Sequence, residues 1–275
     1  SFKSYYGPYQ KWRSDGLTAI RSELKEKRPV VAVSLDLKSF YHSIDPNFIV
    51  TVDFQEEIGL KGERALSPEE RQFTKDLISL YKLWGKSSEE FSDGLMEVDE
   101  AIPSGLAIGL TASRIISNVL LCKWDKLVRE ELTPIHYGRY VDDMFLVLHD
   151  GGKIYDTDSF MAFISERLTF KSGNQTKKVL VNTKKSDFWS INFPKKYFKE
   201  TQIRFQSSKQ KLFILEGSAG FDLIDSIQSE MNKLSSEHRL MPSVDMFDNS
   251  TAAKVLIASE NSSDSADTLR RADGL

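Results

Sequence analysis

Three aspartates in this chain are placed to share a divalent cation. Asp142 and Asp143 stand side by side in YGRYVDDMFLVL, residues 137–148, an otherwise apolar run. Asp36 closes a second apolar run, VVAVSL at 30–35. Carboxylates embedded in this way are costly unless they are solvated, paired or bound to a cation. The adjacent pair alone reads equally as a surface turn, because Asp favours turns. With Asp36 as a third member, another chemistry opens. Hard divalent ions prefer oxygen ligands, and Mg2+ takes one or two carboxylates together with substrate phosphates. Two such ions roughly 4 Å apart stabilise the attacking and leaving oxygens of an in-line phosphoryl transfer. Catalysis in that chemistry is mostly positioning and charge stabilisation.

For the three to meet, the segments carrying them must pair in one antiparallel sheet. The β-branched residues after Pro29 predict a buried strand from Val30 to Leu35, with Asp36 at its C-terminal end. Ligands collect at such strand ends in α/β architectures. IHYGRYVDDMFLVLHDGG predicts a β-hairpin. One strand runs through about Tyr140 and the other from Met144 to Leu148, with the acidic pair at the turn and Gly151-Gly152 ending the element. The clearest helix covers residues 66–84, with Ser67 as N-cap, Pro68 at the first helical position and Glu70 completing a capping box. Phe73, Leu77, Leu80, Tyr81 and Trp84 form its expected buried stripe. A second helix is expected over 109–128, capped at Thr111, with Ile115, Ile116, Val119, Leu120, Leu127 and Val128 as its apolar residues. Its lead-in, AIPSGLAIG, carries Pro103, Gly105 and Gly109 and reads as a turning loop close to something bulky. A third helix follows Asp158, and KVLVN and KLFIL are short strands. A last helix over 221–234 places Leu223, Ile227, Met231 and Leu234 on one face. From about Ser235 the chain is rich in Ser, Asp and Asn and reads as a connecting segment with one helix. Together with the opening at Ser1, it suggests a piece of a longer protein.

The 275 residues, 40% of them hydrophobic, can bury a sizeable core. A single cysteine, Cys122, excludes an internal disulfide framework and a cysteine-based zinc site, and fits a reducing compartment. No apolar run approaches the ~20 residues of a membrane span, and no signal peptide is visible. A cytoplasmic protein without a membrane partner is expected. The net charge of −3 does not by itself suggest nucleic acid, but its distribution is uneven. Residues 54–100 hold 12 acidic against 6 basic side chains, and residues 171–211 hold 11 basic against 2 acidic. The basic stretch is interleaved with aromatics, which suits a phosphate-backbone surface. A solvated hairpin region reads equally well.

Taken in order, these segments resemble the motifs of reverse transcriptases. Tyr140-Val141-Asp142-Asp143 is similar to the family's YxDD box. SLDLKSFY, from Ser34 to Tyr41, resembles its first catalytic motif, and GLTASRIISN, from Gly109 to Asn118, resembles the loop and helix between the two. The likeness spans about residues 29–215. Within the family, ASRIISN and FYHSI are most similar to bacterial abortive-infection and defence-associated members. The resemblance implies an α+β right-hand polymerase palm, an antiparallel sheet with flanking helices, together with partial fingers and the start of a helical thumb or C-terminal domain. The expected division is a fingers remnant at 1–28, palm at 29–50, a helical insertion at 51–100, palm again at 101–215, and the thumb-like start at 216–275.

The resemblance also implies roles. Asp36 and Asp142 would hold two Mg2+ ions, Asp143 would be the third carboxylate, and the carbonyl of Leu37 would ligate the nucleotide-side ion. Tyr41 falls where the family places an aromatic ring against the sugar, excluding a 2′-hydroxyl; core packing is its other reading. Gly109 would let the backbone approach the template or incoming base. Lys185 resembles a lysine that approaches the triphosphate and protonates pyrophosphate, with Lys184 a competitor and a plain surface lysine an equal alternative. Lys209 to Phe213 is similar to a primer-grip hairpin. His42 reads as an ordinary histidine. The partners implied are dNTPs and nucleic acid, a DNA product with an RNA template; a second copy of the chain stays open as a partner.

Two departures qualify the likeness. The family's Pro-Gln before the middle-box Gly is Ala107-Ile108 here. Only 35 residues precede Asp36, with Lys11, Arg13, Lys25, Lys27 and Arg28 as the candidate clamping bases. Either the chain is truncated or the fingers are reduced. Ile108 reads a base pair by shape alone, which discriminates weakly, so loosely templated or untemplated synthesis is expected. The competing functions are a catalytically reduced palm-type binding module and a palm-type nucleotidyl cyclase.

Overall fold

The computed structural model describes residues 6–92, 105–182 and 187–233. Pro103, Lys184, Lys185, Leu234 and the Ser-rich segment lie outside the described residues. Helix α1 (Tyr6–Lys25) precedes strand β1 (Val30–Leu35), and α2 (Val52–Glu57) and α3 (Pro68–Ser92) follow. Next, α4 (Thr111–Leu120) and α5 (Cys122–Leu132) lead into the hairpin of β2 (His136–Tyr140) and β3 (Asp143–His149). Beyond it come α6 (Thr157–Arg167), β4 (Thr169–Ser172), β5 (Gln175–Lys178), β6 (Leu180–Asn182) and β7 (Phe188–Ile191). Last are α7 (Lys195–Phe198), β8 (Arg204–Gln206), β9 (Lys211–Leu215) and α8 (Gly217–Lys233).

The architecture is mixed α+β with antiparallel sheets. The central sheet has the order β2-β3-β1-β9, so the strand of Asp36 and the hairpin of Asp142 and Asp143 are hydrogen-bonded neighbours, as expected. Strand β1 is apolar apart from Ser34 because both of its faces are covered. On one face Val31, Val33 and Leu35 join Met144, Leu146, Leu148 and Leu212 in the main core, which includes Leu120, Trp124 and Phe160 from the helices. On the other, Val30 and Ala32 join Phe145, Val147, Phe213 and Leu215 beneath Leu17, Ile20 and Leu24 of α1 and Leu223, Ile224 and Ile227 of α8. Each fully buried side chain of this kind contributes roughly 1.5–3 kcal/mol. Residues 6–25, within the stretch expected as a fingers remnant, form the helix that covers this second face.

Two expectations need correction. The capping box of α3 is formed: the Ser67 N–H donates to Glu70 Oε2 (2.8 Å) and the Glu70 N–H to Ser67 Oγ (3.2 Å). Its buried face is different from the one expected. Of the expected stripe Tyr81 is buried and Leu77 packs against the core, but Phe73 (70%), Leu80 (55%) and Trp84 (57%) are exposed and Ile78 is buried in their place. The stripe is turned by about one residue, roughly 100° at 3.6 residues per turn. Tertiary contact selects the face, since Tyr81 Oη meets the buried Ser113 Oγ at 3.0 Å. The second correction concerns the helix expected over 109–128. It is two helices broken at Leu121, and Leu110 rather than Thr111 is the N-cap. Ile115, expected to be apolar core, is 59% exposed. The break lets Leu121 and Trp124 both enter the core.

Helix α1 reaches the sheet through a close approach at Gly16, where a Cβ would overlap the buried Phe145 ring. Gly16→Ala should therefore cost ~1–3 kcal/mol through overpacking. Gly151→Ala, with open space around its Cβ position, should be near neutral. Urea denaturation of both variants checks the contrast.

Candidate functional site

The acidic edge is built by register. Leu35 pairs with Met144 as the last partners of β1 and β3, so Asp36 comes opposite Asp143. Tyr140 pairs with Asp143 across the hairpin, leaving Val141 and Asp142 as a two-residue turn. Val141 has φ +60, and Asp142 is not among the positive-φ residues. That is the sign pattern of a II′ turn, whose first central position ordinarily belongs to glycine. A β-branched residue there is strained, at a cost of order 1–3 kcal/mol.

A buried network holds the turn in place. Arg139 Nη1 donates to the Val141 carbonyl (2.8 Å) and to Asn118 Oδ1 (2.8 Å). Its Nε and Nη2 bind both oxygens of Asp125, at 2.8 and 2.7 Å, and Tyr137 Oη donates to the same carboxylate at 2.6 Å. The guanidinium thus ties the turn to the end of α4 and to α5. Desolvated and fork-paired in this way, it stays charged.

Burial raises all three carboxyls, and neighbouring carboxylate charge adds to this at Asp36 and Asp143. Burial pushes the Asp36 carboxyl up and the Asp142 charge adds to this, with Lys209 opposing. Burial also raises Asp142, against its own backbone N–H and Arg139. Asp143 is pushed up to about 7, by burial first and then by the charges of Asp142 and Asp36, with Lys211 opposing. Among the described residues, no group of three or more His, Cys, Asp or Glu side chains is gathered closely enough to hold a metal ion. The arrangement is an open edge of three repelling carboxylates with lysines beside it. Its all-oxygen donors suit Mg2+ completed by substrate phosphates.

The remaining candidates sit close by. Leu37 is buried and forms an isolated bridge to Phe205. Tyr41 is half-buried against the main core, its ring 5.8 Å from that of Phe40. His42, expected to be an ordinary partly buried histidine, is exposed instead. The loop before α4 docks here: the Leu106 N–H donates to the Tyr41 carbonyl (2.8 Å), and a Cβ on Gly105 would overlap the His42 backbone. The bulky neighbour expected for this loop is therefore the chain that carries Tyr41. Gly109 has φ +92 and open space around it, so backbone conformation accounts for its glycine. Lys185 lies outside the described residues.

The basic stretch divides into two kinds of surface. Lys178 pairs with Glu166, Lys195 with Glu200 (2.8 Å) and Lys196 with Asp53 (2.7 Å), which offsets three of its bases locally. Beside Asp36 the pattern differs. Lys38 Nζ lies 4.5 Å and the Arg204 guanidinium 6.0 Å from the centre of the Phe188 ring. Sequence reading passed over Arg139, Asn118 as its partner, and Gln210. Arg139 stands in the polar strand HYGRY, Asn118 in a helix and Gln210 just before a strand, so none carries a local sign of its partner.

No protein-family model matches the chain, and no curated protein matches it. Among the described residues no helix is long and apolar enough to cross a membrane.

The raised carboxyl of Asp143 predicts a pH dependence. Its folded value of about 7 exceeds the ~3.9 of an unfolded chain, so the folded protein binds more protons between the two. Stability from this group is full below about pH 4 and is lost as pH rises through about 7. Asp143→Asn should flatten that part of the curve of Tm against pH, and Mg2+ at alkaline pH should raise the parent's Tm more than the variant's. A parent curve that does not fall across this window counts against the coupling.

Proposed function

We propose that this chain carries the palm of a reverse-transcriptase-type DNA polymerase that works by two-metal nucleotidyl transfer. Its proposed setting is the cytoplasm of a bacterium, in antiphage defence of the abortive-infection kind. One observation carries the reading. Carboxylates from two distant segments come to one edge of an antiparallel sheet, two of them on a tight hairpin turn, in the motif order of that family.

The residues of this chain divide the work. Asp36 and Asp142 would hold the two Mg2+ ions, with the Leu37 carbonyl on the nucleotide side and Asp143 as the third carboxylate. Those ions, when bound, supply the charge that stabilises the attacking 3′-oxygen and the departing pyrophosphate. Burial raises Asp143 first and the charges of Asp142 and Asp36 add to it; that repulsion supports this reading, because such an edge gains from cations. Tyr41, held by the Leu106 bond at its carbonyl, would leave no room for a 2′-hydroxyl. Gly109 would bring bare backbone to the base pair. Lys185 would stand near the triphosphate. Exposed Ile108 (64%), where the family carries a glutamine, offers shape but no hydrogen bond to a template base, which supports loosely templated or untemplated synthesis.

The test incubates the protein with Mg2+ and each labelled dNTP singly, with and without a defined RNA template. Polymeric products support the reading; a cyclic monomer would place the chain with nucleotidyl cyclases, and no product with binding modules. Asp36→Ala, Asp142→Ala and Asp143→Ala should each cut synthesis ~10³-fold or more, about 4 kcal/mol of barrier, and should remain folded. Near-parental synthesis by Asp142→Ala would remove the assignment. Tyr41→Ala should raise ribonucleotide use relative to deoxynucleotide use, and Tyr41→Phe should not. Unchanged discrimination in competition assays returns Tyr41 to core packing.

A further inference from the structure

Asp36 occupies a gap in backbone pairing. On one side of it, β1 pairs with β9 as far as Ser34 opposite Lys211. On the other, Leu37 bridges to Phe205, and the Lys38 N–H donates to the Arg204 carbonyl (2.9 Å). Between Phe205 and Lys211 the partner chain turns away through a 3-10 turn, Ser207–Lys209, closed by the Gln210 N–H on the Ser207 carbonyl (3.1 Å). A regular strand would have met both polar groups of the Asp36 backbone at this point.

The side chain of Gln210 takes the place of that strand. It is 1% exposed. Its Oε1 accepts from the Asp36 N–H at 2.7 Å, and its Nε2 donates to the Asp36 carbonyl at 3.1 Å. The second Nε2 hydrogen goes to the Gln206 carbonyl at 2.8 Å, which anchors the amide to its own turn. The orientation of the amide is dictated, since one N–H must face the oxygen and two carbonyls must face the nitrogen. Holding one residue by its N–H and its C=O fixes the backbone on both sides of its Cα. That sets where the carboxylate leaves the chain and how the next peptide, which carries the Leu37 carbonyl, is turned. The same turn places Lys209 where its charge acts on Asp36.

We propose that Gln210 is the positioning residue of the candidate metal site, acting through the backbone of Asp36. This rests on the polymerase reading for the reaction, but not for the clamp itself. Isosteric Gln210→Met removes all three hydrogen bonds at little change in volume. Gln210→Glu keeps the acceptor for the Asp36 N–H and sets its second oxygen against two carbonyls. Supporting groups of this kind are worth ~10–100-fold in metal affinity or activity.

The experiment compares the parent, Gln210→Met and Gln210→Glu by circular-dichroism melting, by calorimetric titration with Mg2+ alone, and by dNTP incorporation over a range of Mg2+ and dNTP concentrations. Expected are cooperative melts, Mg2+ binding weakened ~10-fold or more in Gln210→Met, kcat lowered with KM for dNTP little changed, and partial recovery in Gln210→Glu. Parental Mg2+ affinity and kcat in a folded Gln210→Met overturn the proposal. If Gln210→Met does not fold, Gln210→Glu decides alone: parental Mg2+ affinity and kcat there overturn it, and losses in both with a cooperative melt support it. A parent that binds Mg2+ but makes no polymer defeats the polymerase reading and leaves the clamp to be decided by the titration.

Discussion

The pairing of β1 with β3 is the constraint on which the rest of the structure depends. Leu35 against Met144 brings Asp36 to Asp143, and a slip of one residue would exchange the two faces of the strand. Because both faces of β1 are apolar, alternation alone would not specify this register. Shape specifies it instead. Gly16 leaves space for Phe145, Gly138 leaves space for Trp12, and the two-residue turn fixes β2 against β3. At the far end the Asp150 N–H closes the ladder on the Pro29 carbonyl (3.0 Å).

That register gathers like charges, and the surrounding side chains offset the consequence. Lys209 and Lys211 act on Asp36 and Asp143, and Arg139 acts on Asp142. All three carboxyls stay above their ordinary values, with burial as the first cause. Arg139 serves a second purpose. Its guanidinium donates to a carboxylate, an amide oxygen and two backbone carbonyls, so a buried charge is satisfied rather than stranded. The strained Val141 is held by this pairing, as a conformation its own side chain disfavours must be held by its surroundings.

The helices around the sheet divide between bracing and presentation. Helices α1 and α8 close the face away from the main core with apolar side chains, and an Arg21–Asp225 ion pair joins them. Helices α4 and α5 meet at Leu121, which turns Asn118 and Asp125 toward one guanidinium.

How much of this was legible follows from the range of each interaction. The strand at 30–35, the hairpin with its acidic turn, and the Ser67-Glu70 capping box are local consequences of side-chain type. β-branched residues, a turn residue pair and a reciprocal cap declare themselves within a few positions, and the sequence alone determined them. The meeting of Asp36 with Asp142 and Asp143 was legible as a condition, because a strand and a hairpin ending in carboxylates have few ways to pair. The buried face of α3, the break at Leu121, the burial of Arg139 and the clamp by Gln210 were decided only by the tertiary structure. Helical spacing puts Phe73, Leu80 and Trp84 on one stripe, yet which stripe is buried depends on where Ser113 arrives from another helix. A glutamine at the start of a strand carries no local sign of its partner, and its role exists only because the chain turns away opposite Asp36 and leaves two backbone groups for a side-chain amide to satisfy.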